Sequence, residues 1–311
     1  MHAFFRPRTS FWYPNFTSAL VGFQWIPFLL VGLLFCSLWA YPALSQERLQ
    51  LPERDRPMEA ELTDVFSIGA LDGHEWETFA RISSVAFDRD GNLVVLDRGN
   101  QKVVKVDGAG ELLSEMGGAG GGPGEFGSPV SLSVLPDGTV VVFDVRKRGF
   151  SIFHADGTFG RTVPLVGGFE AMPGGGMTPH PSGGVISSGM MMTRVSSGGI
   201  QTSGDSDTRP LFRYSLDDGS WEAIFKAWRP VGSGPPEITP RSGGTAVVYA
   251  GAGEKVFEPD LHFGILPDGS LAVVDSVTYA VKVVGEDGFV RRTLLRPIEP
   301  RAVTREDKDR E

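Results

Sequence analysis

The sequence predicts an all-β fold built from repeated four-stranded antiparallel blades. Three observations carry this: 41 Gly and 22 Pro in 311 residues, short apolar runs bounded by Asp-Gly, and a repeat of 47 residues from Asp90 to Asp137. No long amphipathic helical run interrupts the middle of the chain. Length alone leaves two ordinary domains or one large all-β unit open, and the turn-rich composition favours the second.

The repeat emerges when the chain is compared with itself. FDRDGNLVVLDRGNQKVVKVDGAGELL from Phe87, VLPDGTVVVFDVRKRGFSIFHADGTFG from Val134 and ILPDGSLAVVDSVTYAVKVVGEDGFVR from Ile265 align without a gap. An Asp-Gly (Asp90, Asp137, Asp268) is followed seven residues on by a second Asp (Asp97, Asp144, Asp275). Another Gly (Gly110, Gly157, Gly288) stands nineteen residues after each first Gly, and Phe79, Phe126 and Phe257 stand eleven before each first Asp.

Each column has a physical meaning. Asp-Gly supplies the positive backbone angle of a tight hairpin turn. The runs Leu93-Val94-Val95-Leu96, Val140-Val141-Val142-Phe143 and Leu271-Ala272-Val273-Val274 are too short for helices and apolar throughout, so each strand is expected to be buried on both faces. The later Gly closes a second hairpin, which completes a four-stranded blade. This spacing matches the ~40–50 residues of propeller repeats.

A degraded fourth copy begins at Pro181-Ser182-Gly183-Gly184, with its second turn at Asp218-Gly219. Its middle is lengthened by SSGGIQTSGDSDTRP, which reads as a flexible inserted loop. A second insertion, residues 232–253, reads as a surface excursion, and Val65–Ile68 and Glu75–Ala80 read as strands entering the first blade.

The stretch GGAGGGPGEFGSPVSLSVLPDGTVVVFD, Gly117 to Asp144, resembles the NHL repeat of six-bladed β-propellers, and a weaker form of the pattern covers residues 60–297. The resemblance is to uncharacterised bacterial exported propellers, and it implies a six-bladed toroid with a central channel. Six blades of this size exceed the chain beyond residue 45. The preferred expectation is a chain lacking its closing blade, and the alternative is a five-bladed ring with a charged tail.

Residues 1–45 contain Arg6 and Arg8, no acid, an apolar stretch from Ile26 to Ala40 and the small residues Ala43 and Ser45. They read as a secretory signal cleaved before Gln46. The alternative is an uncleaved membrane anchor, since the apolar region extends back to Leu20, about the ~20 residues that span a bilayer. The expected organisation is signal or anchor over 1–45, linker over 46–60, blades over 61–300, and a charged tail over 301–311 in which Thr304 caps the start of a helix. A secreted or periplasmic location is expected, or an anchored one facing out of the cytoplasm. The only cysteine, Cys36, lies in the apolar stretch, so the chain beyond residue 45 has no disulfide. In that same portion 27 basic residues face 38 acidic ones, a net charge of −11 that disfavours nucleic acid as a partner.

No catalytic constellation stands out. The Gly-rich run 117–124 lacks the Gly-Lys-Ser/Thr of a phosphate loop, no Gly-x-Ser-x-Gly elbow occurs, and His74, His154, His180 and His262 show no metal-ligand spacing. The repeated Asp97, Asp144 and Asp275 are assigned to satisfying turn amides. His262 aligns with Ser84, Ser131 and Gly176 at the start of the innermost strand, where the resemblance places the channel mouth. Arg146-Lys147-Arg148, with Arg98 in the equivalent turn, form a candidate binding face, and Met190-Met191-Met192 are assigned to a core strand. Some six-bladed relatives are lactonases or lyases that hold a cation with Glu, Asn and His, whereas here Asn92 and Asn100 are the only asparagines beyond residue 45 and both fall in turns. The expected function is therefore a non-catalytic scaffold without cofactor, binding a protein, peptide or glycan. The alternative is a channel-centred hydrolase or lyase using a divalent cation such as calcium or zinc.

Overall fold

The computed structural model describes residues 46–298, apart from 55, 169–170, 190–191, 197–198, 203–207, 230–245 and 250–258, together with 302 and 304–306. Residues 1–45, with the expected signal and Cys36, lie outside the described residues, as do Phe257, Met190 and Met191. No helix among the described residues is long and apolar enough to cross a membrane.

The first strand, β1 (Glu47–Gln50), belongs to the last blade. The first blade is the antiparallel meander β2 (Ile82–Phe87), β3 (Leu93–Asp97), β4 (Lys102–Val106) and β5 (Leu112–Gly117). The second repeats it with β6 (Pro129–Val134), β7 (Val140–Asp144), β8 (Gly149–Phe153) and β9 (Phe159–Pro164). The Asp-Gly turns behave as the sequence predicts, with Gly91 at φ +82° and Gly138 at φ +86°. The third blade opens with β10 (Thr178–Pro179) and β11 (Val185–Ser188). It then gives off β12 (Met192–Ser196) and β13 (Gly199–Thr202) before closing with β14 (Thr208–Tyr214) and β15 (Trp221–Trp228). After β16 (Ala246–Tyr249) comes the fourth blade, β17 (His262–Ile265), β18 (Leu271–Val274), β19 (Ala280–Val284) and β20 (Val290–Leu295).

Successive side chains on a strand face opposite ways, so each inner blade packs on two neighbours. On β7, Val140 and Val142 join a cluster with Val94, Leu96 and Val103 of the first blade. Val141 and Phe143 join Val185, Phe212 and Tyr214 of the third. A further cluster links Ile186, Leu211 and Ala227 to Leu271, Val273 and Val284 of the fourth. Each fully buried side chain of this size contributes about 1.5–3 kcal/mol. Tyr214 is fully buried, and its hydroxyl has no hydrogen-bond partner among the described residues.

The described residues form a propeller arrangement of four blades, where the resemblance implied six. Between β15 and β17 the only described strand is β16. Where a flexible loop and a surface excursion were expected, β12 pairs with both β13 and β16, joining described residues of the two insertions into one three-stranded sheet. The segments expected as entering strands form none: Glu75–Glu77 wind as a 3-10 turn, and Lys102 Nζ donates to the carbonyls of Glu75 and Trp76. That lysine takes up carbonyls that a strand would use for pairing.

No buried apolar cluster joins the fourth blade to the first among the described residues. Alternate residues of β18, Ala272 and Val274, are accordingly only half-buried, against the expectation of burial on both faces, and Val85 and Phe87 of β2 are exposed. Of the segment expected as a linker, residues 47–50 are a strand, laid parallel to β20 in the register Glu47 to Arg292 through Gln50 to Leu295. Arg292 Nε donates to Glu47 Oε2 at 2.7 Å, and Gln46 Nε2 to Thr293 Oγ1 at 3.0 Å. In the tail, Arg305 and Glu306 are helical.

Candidate functional site

Meander order gives each blade two unlike ends. The links from first to second strand and from third to fourth are the Asp-Gly hairpins, and these share one end. The hairpins of neighbouring blades touch there: Lys105 Nζ donates to Ala155 O, Arg161 to Leu216 O, and His180 Nε2 lies 3.2 Å from Gly269 O. His180 Nδ1 accepts from the Ser182 amide, so its Nε2 carries the hydrogen and donates to Gly269. The opposite end holds the turns from second to third strand, the links between blades, and both insertions.

A buried aspartate holds each turn at that opposite end. Asp97 accepts from the amides of Ala80 and Arg81 at 2.9 and 2.8 Å and from Gly99 and Asn100 in its own turn. Asp144 repeats this with Gly127 and Ser128 at 2.6 and 3.0 Å and with Arg146 and Lys147. Burial pushes the Asp97 carboxyl up, but the amides outweigh it and hold it below the usual carboxylate range. The structural role assigned to this column from sequence is what the geometry shows. Asp275 varies it, accepting from the Trp228 amide of the third blade at 2.8 Å and pairing with Lys282 Nζ at 2.7 Å. The third blade has Gly189 at this position.

The innermost strands of all four blades line one cavity of about 420 Å³. Of the residues aligned from sequence, Ser84 and His262 line it, and Gly176 does too. Ser131 does not: it is buried, and its hydroxyl donates to Gly175 O at 3.0 Å, joining the second blade to the third. Ser133 and Thr178 line the cavity without having been singled out, because neither stands in the aligned column. His262 is the only ionisable side chain among the described lining residues.

The basic turn divides. Lys147 Nζ donates to Gly122 O at 2.8 Å, and Arg148, at φ +50°, donates to Gly167 O, so both cations hold neighbouring loops. Arg98 and Arg146 are exposed. A larger groove of about 930 Å³ opens between the second and third blades at the hairpin end, but its arginines are engaged, Arg161 with Leu216 O and Asp217 and Arg213 with Glu222.

Asn92 Nδ2 donates to Asp88 and Asn100 Nδ2 to Thr78 O and Asp97. Among the described residues no three His, Cys, Asp or Glu side chains converge.

The sheets and the cavity at their axis define a β-propeller of four-stranded blades. No protein-family model matches the chain, and no curated protein matches it. Among solved structures it is similar to a catalytically inactive virginiamycin B lyase from Staphylococcus aureus with quinupristin: 13% identity, TM-score 0.41, covering 74% of this chain and 62% of that one. A candidate exported protein from Bacteroides fragilis gives 12% identity and a TM-score of 0.45, covering 81% and 61%. A protein of unknown function from Bacteroides caccae gives 14% and 0.37, covering 68% and 66%. The chain thus spans about three fifths of the length of the first two.

Proposed function

We propose that the protein is an exported, NHL-like β-propeller of the six-bladed type that acts as a non-catalytic scaffold, binding a protein, peptide or glycan partner at the end opposite its hairpins. The observation that carries this is the contrast between the two ends. The hairpin end repeats short turns with little variation, whereas both insertions, the basic turns and the start of β17 at His262 lie at the other. A repeat scaffold that varies on one face alone presents that face for recognition, because loops can change without disturbing the packed blades. The half-exposed outer face of the fourth blade and the exposed Val85 and Phe87 of the first are faces that further blades of such a ring would cover.

The test is hydrogen exchange on the purified full-length protein with and without cell-envelope extract. Protection is expected in residues 98–101 and 145–148 and in β12, β13 and β16. Protection confined to the hairpins, or none, would overturn the reading.

A further inference from the structure

The hairpin end of the blades is acidic. The eight hairpin turns, residues 88–92, 107–111, 135–139, 154–158, 180–184, 215–220, 266–270 and 285–289, hold eleven carboxylates against one cation, Arg89. At the opposite end of the first two blades, Arg81, Arg98 and Arg146 are exposed, and among the described residues none makes an ion pair or a side-chain hydrogen bond.

These arginines are also held close together. The Arg81 amide and the Gly99 amide, next to Arg98, share Asp97 Oδ1 at 2.8 and 2.9 Å. Gln101 of the same turn donates to Gly127 O at 3.4 Å. Gly127 lies beneath Arg146, where a Cβ would stand 2.8 Å from Arg146 Cδ, and the Arg146 amide is fixed by Asp144. The backbone is thus pinned at or beside each arginine by a buried aspartate, while the guanidinium forks stay free in solvent.

We infer that Arg81, Arg98 and Arg146 form a recognition site for an acidic peptide segment of a partner protein. This rests on the reading of that end as the binding face. The guanidinium fork matches a carboxylate with two parallel hydrogen bonds. Ile82, adjoining Arg81, is 52% exposed, and arginine beside exposed aliphatic surface suits a peptide that mixes acidic and apolar residues.

The experiment measures fluorescence anisotropy of a labelled peptide alternating Glu and Leu against full-length protein, with a Gln-for-Glu peptide as control. Binding of the Glu peptide is expected to weaken at least tenfold in the Gln peptide, in 0.5 M salt, in the triple variant Arg81→Ala/Arg98→Ala/Arg146→Ala and in Arg98→Glu alone. Equal binding of the Gln peptide, wild-type affinity in both variants, or binding of polygalacturonate in place of the peptide would each overturn the assignment. If the triple variant keeps its exchange protection at this end with envelope extract, the scaffold reading stands and this inference falls. Absence of any protection there in wild type fells the scaffold reading itself.

Discussion

Lys105 Nζ lies 2.9 Å from Asp88 Oδ2 while also donating to Ala155 O, so one buried cation ties a hairpin of the first blade to a hairpin of the second. Both side chains are under a tenth exposed. Burial pushes the Asp88 carboxyl up, but the Asn92 side chain, Lys105 and the Asn92 amide more than offset it and hold it at about 2. Because that lies below the unfolded value of ~3.9, the stabilisation is complete above that value and is lost as pH falls through about 2. Asp88→Asn, which strands a buried ammonium, is expected to cost about 3 kcal/mol at pH 7. In urea titrations its deficit against wild type should shrink between pH 4 and pH 2, and a constant deficit would contradict the assignment.

The aspartate clamps are expected to rank. Asp144→Ala and Asp97→Ala each leave four amides without an acceptor and should cost on the order of 3 kcal/mol or more. Asp275→Ala frees one amide and a lysine whose side chain is 27% exposed and can turn to water, so about 1–2 kcal/mol is expected. Denaturation midpoints of the three variants decide it.

Gly117 sits at φ +95° with the Phe126 ring against it, so that a Cβ would stand 2.1 Å from the ring. Phe126 is fully buried and packs edge-on to Phe153 at 5.7 Å, so it cannot yield. Gly117→Ala should cost roughly 2–4 kcal/mol through strain and displaced packing. Gly121→Ala, in the loop after β5 with nothing within 4 Å of its Cβ, should fall within about 0.5 kcal/mol of wild type. Melting temperatures of the pair measure the contrast.

Tyr214→Phe removes a buried hydroxyl that no described residue satisfies, and the same burial pushes its pKa up. The ring contacts with Phe150 and Phe212 remain, so stability is expected to hold or rise by about 1 kcal/mol. A clear loss would point to a partner for the hydroxyl.

Deleting residues 46–50 should uncover the outer edge of β20, lower the melting temperature and bring on concentration-dependent association. Differential scanning calorimetry and light scattering across a dilution series test both effects.

Much of this architecture was legible because it is written locally. Asp-Gly turns and the strands Leu93–Asp97 and Val140–Asp144 depend on neighbours in sequence, and the aspartate column kept the role its repetition suggested. What was not legible joins distant segments. The register of β12 against β16 spans about fifty residues without an Asp-Gly signal, and β1 is four exposed residues with no burial pattern to mark them. Ser131 and Ser84 share a sequence column, yet one hydroxyl turns to Gly175 O and the other residue faces the cavity, a difference of side-chain surroundings that alignment does not carry. Arg81 was missed because it belongs to no charged run. Its place beside Arg98 comes from a shared carboxylate, Asp97.

The β1 and β20 pair also has a mechanical side. The strands run parallel, so a pull on the chain before Glu47 and after Leu295 acts at opposite ends of the pair and along its length. The backbone bonds and the Glu47 and Arg292 contact then bear load together in shear, instead of opening one after another as in unzipping. A strand of only four residues can therefore set the force at which the propeller yields when it is stretched between its ends.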